Sequence, residues 1–345
     1  MKILHIVWAL ATGGLENMLV DIINYQVKSE DVTLLLVNDW YDKSIMGRLD
    51  KRCQVKILGR KVGSKSPLFL LKLNSYLLFH NYDIIHLHDP NMIRNLWLKK
   101  NYVRTVHNTN IEYHNYRWHK CIIAISQAVH DDLTNRGFSS VVVDNGVNFN
   151  LIRSKLNFEK GKIFNMVQVS RILFDQKGQD ILLESLIKLK QKGIKNFHLD
   201  FIGTGPDEER LSEMISSKEM ENFVSLLGCK SREYIYEHLC RYDLYVQPSR
   251  FEGFGLTVAE AIGAKIPVLV SDNEGPLAII ENGKYGFTFK NKSVDDCADE
   301  IEKIMNNYPS TDFINAAYNR ITSLYKIDYT AQKYINEYKK IINKK

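Results

Sequence analysis

Short runs of Val, Ile and Leu alternate with longer stretches of helical period along the whole chain. In the first part the strand-like runs are Ile3 to Trp8, Val32 to Val37, Ile84 to Leu87, Val103 to His107, Cys121 to Ile125 and Val141 to Asp144. Strands separated by helical segments predict βαβ units and a parallel sheet. The pattern pauses over the polar stretch Asn148 to Lys162. It restarts with Ile163 to Val169, His198 to Ile202, Val224 to Leu227, Leu244 to Gln247 and Val268 to Val270, so a second doubly wound sheet is expected. The reading is an α/β chain of two Rossmann-like domains, 1–155 and 156–325, facing each other across a cleft. A last helix, 326–345, carries Tyr334, Ile335, Tyr338, Ile341 and Ile342 on one face and is expected to pack back on the body. The length of 345 residues suits two domains. Open parallel sheets bind ligands beyond the carboxyl ends of their strands, so the loops after each strand are where chemistry is sought.

Composition narrows the class without naming it. Apolar residues make up 45% and charged residues 25%, which excludes a disordered, collagenous or coiled-coil chain. The 5 cysteines lie far apart with no C-x-x-C pair, which argues against a disulfide framework or a thiolate zinc site and suits a reducing compartment. Ile3 to Ala11 has the look of a signal peptide, but it runs into Thr12-Gly13-Gly14 and a helical pattern, so it reads as a buried first strand. No stretch reaches the roughly 18 apolar residues of a spanning helix, and a cytoplasmic location follows as the expectation. Net charge is +6, with 18 basic against 13 acidic residues in positions 1 to 150 and 28 against 27 in the rest. Seven Lys/Arg and no carboxylate fall between Lys51 and Tyr82, and this stretch flows into the apolar Pro67 to Phe79. Two readings stand level there: docking on the anionic inner face of a membrane, or an ordinary core-facing helix. Nucleic acid is not expected as a partner, because no binding motif accompanies the charge.

The most informative stretch is Ser249-Arg250-Phe251-Glu252-Gly253-Phe254-Gly255-Leu256-Thr257-Val258-Ala259-Glu260-Ala261. It reads as a Gly-rich turn after a strand, opening a helix. The backbone N–H groups of Gly255, Leu256, Thr257 and Val258 would lack helical partners and, with the positive end of the helix dipole, form a seat for phosphate. Gly253 and Gly255 let a ligand approach closely. Ionised Glu252 and Glu260 can only accept hydrogen bonds, and vicinal hydroxyls of a ribose and a hexose are suitable donors. A nucleotide-sugar fits this spacing, whereas an isolated Gly-rich turn is ordinarily structural.

Glu-(seven residues)-Glu in this setting resembles the signature of retaining GT-B glycosyltransferases, specifically glycosyltransferase family 4. The resemblance extends to Met166 to Arg171, Asp175-Gln-Lys177-Gly178, Asp180 to Glu184, Phe201-Ile-Gly203-Thr-Gly205-Pro206, Leu227-Gly228 and Tyr242 to Ser249. It continues at the amino end in Gly13-Gly14-Leu15-Glu16, His86-Leu-His88-Asp89, Thr105-Val-His107 and Asp144 to Val147. Nearly the whole chain is covered, Asn38 to Tyr82 least well.

A departing nucleoside diphosphate needs cations. The planar fork of Arg171 and the point charge of Lys177 can supply them, although loop cations are usually solvated and worth under about 1 kcal/mol. The resemblance implies that His107 touches the transferred sugar; the alternative is a histidine satisfied by its core neighbours. Gly13 and Gly14 are expected to approach the diphosphate. Gly203 belongs to the donor-side motifs, and the backbone around Cys229 and Lys230 is expected near the base. His86 and His88 share a strand face and could ligate a metal with Asp89 or His107, but no Asp-x-Asp occurs and the resemblance implies a metal-free, cofactor-free reaction.

The implied activity is retaining transfer of a hexose or N-acetylhexosamine, uridine being the favoured nucleotide, to a glycan or lipid-linked acceptor in bacterial polysaccharide or lipopolysaccharide assembly. Two rivals remain. A non-catalytic sugar-nucleotide-binding or scaffold subunit would keep the fold without turnover. A dinucleotide oxidoreductase is disfavoured, since no G-x-G-x-x-G follows the first strand.

Overall fold

The computed structural model describes residues 1–11, 13–109 and 118–343. It divides into a first unit, Met1–Gly146 with Lys326–Lys345, and a second, Val147–Tyr325. The division therefore falls at 146/147 and not at 155/156. The polar stretch after Gly146 is stitched into the second unit: Val147 N–H donates to Tyr325 O at 2.8 Å, Arg153 N–H to Tyr236 O at 3.0 Å, and Lys155 Nζ to buried Asp243 at 2.7 Å.

The first unit is built on strands β1 Lys2–Val7, β2 Asp31–Asn38, β3 Gln54–Arg60, β4 Ile84–Leu87, β5 Tyr102–Val106, β6 His119–Ala124 and β7 Val141–Val142. All pair in parallel, in the order β3-β2-β1-β4-β5-β6-β7. The chain winds outward from β1 in one direction through β2 and β3, and in the other from β4 onward. The topological switch point, where such sheets leave a crevice beyond their carboxyl ends, therefore lies between β1 and β4. Strand β3 was not anticipated. Leu4, Ile6, Leu35, Ile85 and Leu87 form the core of this sheet with Leu73 and Leu77 of the helix Leu68–Phe79. The last helix, Ile327–Asn343, belongs to this unit, packs on the helix Gly14–Gln26 and buries Tyr334, Ile335 and Tyr338, while Ile341 and Ile342 stay half-buried.

The second unit contains β8 Phe164–Val169, β9 Phe197–Ile202, β10 Val224–Leu226, β11 Leu244–Gln247, β12 Val268–Ser271 and β13 Phe287–Phe289, again all parallel. Their order is β10-β9-β8-β11-β12-β13, which puts its switch point between β8 and β11. The helices Gln179–Gln191 and Val294–Asn306 cover the sheet through Leu182, Leu186, Ala298 and Ile301. Strand β13 was also unanticipated.

Candidate functional site

The loops that leave β8 and β11 meet at the switch point of the second unit. After β8 the chain passes Arg171, makes the short helix Phe174–Lys177, and turns at Gly178, whose φ of 68° is left-handed. A Cβ on Gly178 would stand 2.1 Å from Pro248 O in the β11 loop, so glycine here lets the two loops touch. Lys177 Nζ forms an ion pair with Glu252 Oε2, and Ser249 Oγ lies 3.5 Å from the same oxygen. Arg250 reaches back from the β11 loop to grip Asp180 with two bonds, of 2.8 and 2.7 Å. Ser271 Oγ and Asn273 Nδ2 both donate to Ser249 O, at 2.6 and 3.2 Å, fixing the loop from the β12 side.

Gly255 begins the helix Leu256–Gly263 with a φ of 97° and no capping side chain. The helix therefore opens without an internal acceptor for its first amides. One expectation is corrected: Val258 N–H is already bonded to Gly255 O at 3.0 Å, so the anion seat is reduced to Gly255, Leu256 and Thr257. Gly253 and buried Phe254 complete the turn, the Phe254 ring standing edge-on to Tyr325 at 5.2 Å. Arg171 is exposed on the β8 loop, where its guanidinium is open to an incoming anion.

Two tyrosines that the sequence reading did not single out stand behind the acidic pair. Tyr245 on β11 is fully buried with its hydroxyl 2.6 Å from Thr257 Oγ1 and 2.5 Å from Gln247 Oε1. Burial drives its phenol far above the usual range, so it stays neutral. Tyr236 donates to Glu260 Oε1 at 2.8 Å, with Arg232 stacked over its ring. Neither had a signal beyond its place within or near the quoted motifs. The loops after β9 and β10 close this end of the sheet. Gly203 N–H donates to Gly228 O at 2.9 Å, and a Cβ on Gly203 would meet Ser170 O at 1.9 Å. Cys229 is exposed next to Gly228, and Lys230 Nζ lies over the Tyr234 ring.

In the first unit Gly13 caps the helix Gly14–Gln26 in extended backbone that any residue adopts, so its glycine is not required by φ. A Cβ there would displace the Glu16 carboxylate, 2.5 Å away. His107 is the first residue after β5. Burial and then the Arg104 charge lower its pKa to about 3, so the ring is neutral. Among the described residues its buried Nε2 has no hydrogen-bond partner.

His5, His86 and His88 bring ring nitrogens within 4.8 Å of one another, while Asp89 instead caps its own turn through Asn91 N–H. The His86 and His88 rings are stacked at 4.2 Å with planes 28° apart, and His86 already uses both nitrogens, on Tyr338 OH at 2.5 Å and Thr105 Oγ1 at 2.8 Å. Ring lone pairs lie in the ring plane, so stacked imidazoles do not converge on one ion. The cluster fits a hydrogen-bonded core better than a metal site. An unpaired nitrogen within it costs about 1–3 kcal/mol.

Two doubly wound parallel sheets, each with polar loops gathered at its switch point, define the GT-B class of nucleotide-binding folds. Within that class the chain belongs to the family described as glycosyl transferases group 1, whose model matches residues 148–320, and residues 12–151 match the model of glycosyltransferase family 4. It is 31% identical over 180 residues to a poly(ribitol-phosphate) α-N-acetylglucosaminyltransferase of Staphylococcus aureus, covering 51% of this chain and 34% of that protein. It is 28% identical over 190 residues to the GtfA subunit of a UDP-N-acetylglucosamine–peptide N-acetylglucosaminyltransferase of Streptococcus parasanguinis, covering 53% and 36%. The chain thus spans about a third of the length of these curated relatives. Anabaena HepE, solved with UDP and glucose, shares the fold at a TM-score of 0.82 and 20% identity over 98% of this chain and 99% of that one. The S. aureus protein TarM, solved with α-GlcNAc-glycerol and UDP among its ligands, does so at 0.79 and 15%, over 98% and 99%.

Proposed function

We propose that the protein is a retaining glycosyltransferase that moves a hexose or N-acetylhexosamine from a nucleoside-diphosphate sugar, with UDP as the nucleotide, to a glycan or lipid-linked acceptor. The observation that carries this reading is the meeting of Lys177, Glu252 and the uncapped helix start at Gly255 on the two loops of one switch point. Lys177, exposed Arg171 and the amides of Gly255, Leu256 and Thr257 take up the charge that grows on the diphosphate as the glycosidic bond breaks. Glu252 accepts hydrogen bonds from sugar hydroxyls, and Glu260, oriented by Tyr236, accepts them from the ribose. Gly203 and the backbone at Cys229 and Lys230 border the base, Gly13 and Gly14 approach the diphosphate, and neutral His107 meets the transferred sugar. The acceptor hydroxyl attacks from the side the diphosphate leaves, and a phosphate oxygen takes its proton. The chemistry assigned to these groups needs no metal. The names of the relatives support N-acetylglucosamine and UDP as the first compounds to try.

Bacterial surface polysaccharide assembly is the setting this reading favours, with the protein held at a membrane face. Among the described residues no helix is long and apolar enough to cross a membrane. The helix Leu68–Phe79, however, leaves Leu68, Leu71, Leu78 and Phe79 exposed, Phe79 at 79%, within the basic stretch that lacks carboxylates. Each nearby Lys or Arg adds about 1 kcal/mol on an anionic surface. Leu71→Asp with Phe79→Asp is expected to abolish cosedimentation with phosphatidylglycerol vesicles while leaving the melting temperature unchanged; retained sedimentation refutes the membrane assignment.

The deciding experiment for the activity is a thermal-shift screen of UDP, GDP and their sugars, a ligand at 100 times its Kd stabilising by about 2.7 kcal/mol. NMR of the product of any sugar that is turned over then reads the anomeric configuration. Inversion ends the retaining assignment. Binding without hydrolysis or transfer marks the non-catalytic alternative.

A further inference from the structure

The switch point of the first unit holds a second polar array that the reaction described above does not use. His5 on β1 is the register partner of His86 on β4, and His88 is the first residue after β4's last core position, Leu87. Gln26 Oε1 lies 2.8 Å from His5 Nε2, and a carbonyl oxygen can only accept, so His5 carries its proton on Nε2 and leaves Nδ1 bare. His88 Nε2 stands 3.0 Å from that bare nitrogen and must donate to it. A neutral imidazole has one N–H, so His88 Nδ1 is left without a proton. Burial holds both rings neutral, lowering His5 to about 4 and His88 well below the usual histidine range. His88 is buried, its Nδ1 is itself closed off from solvent, and no described residue donates to that nitrogen. His107, at the end of the neighbouring strand with its ring 6.2 Å away, likewise has a buried nitrogen without a partner.

We propose that His88 is a specificity-determining residue whose bare Nδ1 takes a hydrogen bond from a sugar hydroxyl, in the tautomer that Gln26 imposes through His5. The ligand chemistry rests on the glycosyltransferase reading; the tautomer does not. A sugar O–H is the required complement because an acceptor nitrogen rejects other acceptors, including carboxylate and phosphate oxygens. Position favours a ligand as well, since the crevice beyond the carboxyl ends of β1 and β4 is where open parallel sheets bind. The hydroxyl belongs either to the donor's sugar or to the acceptor's, and the two are separable.

The test uses the full chain labelled with 15N-histidine, with the His88 resonances identified by their loss in His88→Gln. At neutral pH the expected pattern is a bare Nδ1 and a protonated Nε2, and Gln26→Met mixes the tautomers. A metal shared by His5 and His88 would strip the Nε2 proton, so the same spectrum excludes it. Titration then follows Nδ1. A shift with UDP-N-acetylglucosamine but not UDP assigns the donor sugar, and a shift with methyl glycosides of glucose, galactose or N-acetylglucosamine assigns the acceptor sugar. His88→Asn, whose amide oxygen can occupy the place of Nδ1, retains affinity for the responding sugar, whereas His88→Gln loses about tenfold. A protonated Nδ1 in the free protein overturns the proposal. So does an Nδ1 unmoved by every sugar while UDP raises the melting temperature, the result expected of a permanently bound water. If UDP itself fails to bind, the glycosyltransferase reading falls and the tautomer still decides the first half.

Discussion

Lys177 and Glu252 are paired in the free site, and each is the other's nearest counter-charge with under a fifth of its side chain exposed. Lys177 has three donors, so it can keep Glu252 in place and still present N–H groups to a diphosphate. Lys177→Ala removes both services and is expected to lower kcat by about 100- to 1,000-fold, the scale of a lost oxyanion donor. Steady-state hydrolysis of the donor identified by thermal shift measures it, and a loss under tenfold makes the ion pair merely structural. Gly178 tests the same pair through the backbone. With φ at 68° and Pro248 O 2.1 Å from the place of a Cβ, Gly178→Ala adds about 1–2 kcal/mol of left-handed strain and forces the β8 and β11 loops apart. Denaturant unfolding is expected to show at least that loss of stability, with donor hydrolysis falling even in the folded fraction.

At the scale of elements, the site exists because two loops that are 75 residues apart in sequence meet where the winding of one sheet reverses. Arg250 is the tie between them, and its bonds to Asp180 are partly exposed, so their direct worth to stability is only about 1 kcal/mol. Arg250→Ala is accordingly expected to change the melting temperature little and to reduce donor hydrolysis strongly, since Glu252 lies two residues on; equal activity would mean that the loop holds its shape without the tie. The buried strands were legible because their apolar runs are uninterrupted. Strand β3, by contrast, is an edge strand with Gln54, Val55, Lys56 and Ile57 exposed, and its charges masked the strand as part of a basic flank. Strand β13 spans only Phe287–Phe289, too short for periodicity to register. The glutamates, Lys177 and the glycines were legible through spacing and family resemblance. The support from Tyr245 and Tyr236 was not, because a buried hydroxyl bonded to Thr257 or to Glu260 leaves no trace in the local pattern.

Over the whole molecule the same distinction separates the two units in their response to acid. His5, His86, His88 and His107 are held neutral by burial, and Gln26, Thr105, Tyr334 and Tyr338 pack around them, with His119 adding repulsion toward a protonated His86 and Arg104 toward a protonated His107. Tyr338, on the helix that closes the chain, bonds a residue 252 positions earlier, so this network ties the end of the sequence to the first sheet. Unfolded histidine titrates near 6.5, whereas His5 and His107 titrate at about 4 and 3 in the fold, and His86 and His88 are also lowered. Between those values the unfolded chain binds more protons than the folded one. Stability is therefore full above the unfolded pKa, is lost as pH falls through it, and the loss levels off only below each folded value. At ~1.4 kcal/mol per pKa unit, His5 and His107 each remove about 2 kcal/mol by pH 5, and His86 and His88 act in the same direction, against a typical domain stability of about 5–15 kcal/mol. All 4 tryptophans, Trp8, Trp40, Trp97 and Trp118, lie in the first unit, so their fluorescence reports its unfolding alone. The fluorescence melting temperature is expected to drop steeply between pH 6.5 and 5. Far-UV circular dichroism, which sees both units, should separate into two transitions over the same range. Coincident transitions with no acid shift would mean that the cluster is hydrated and already free to take up protons.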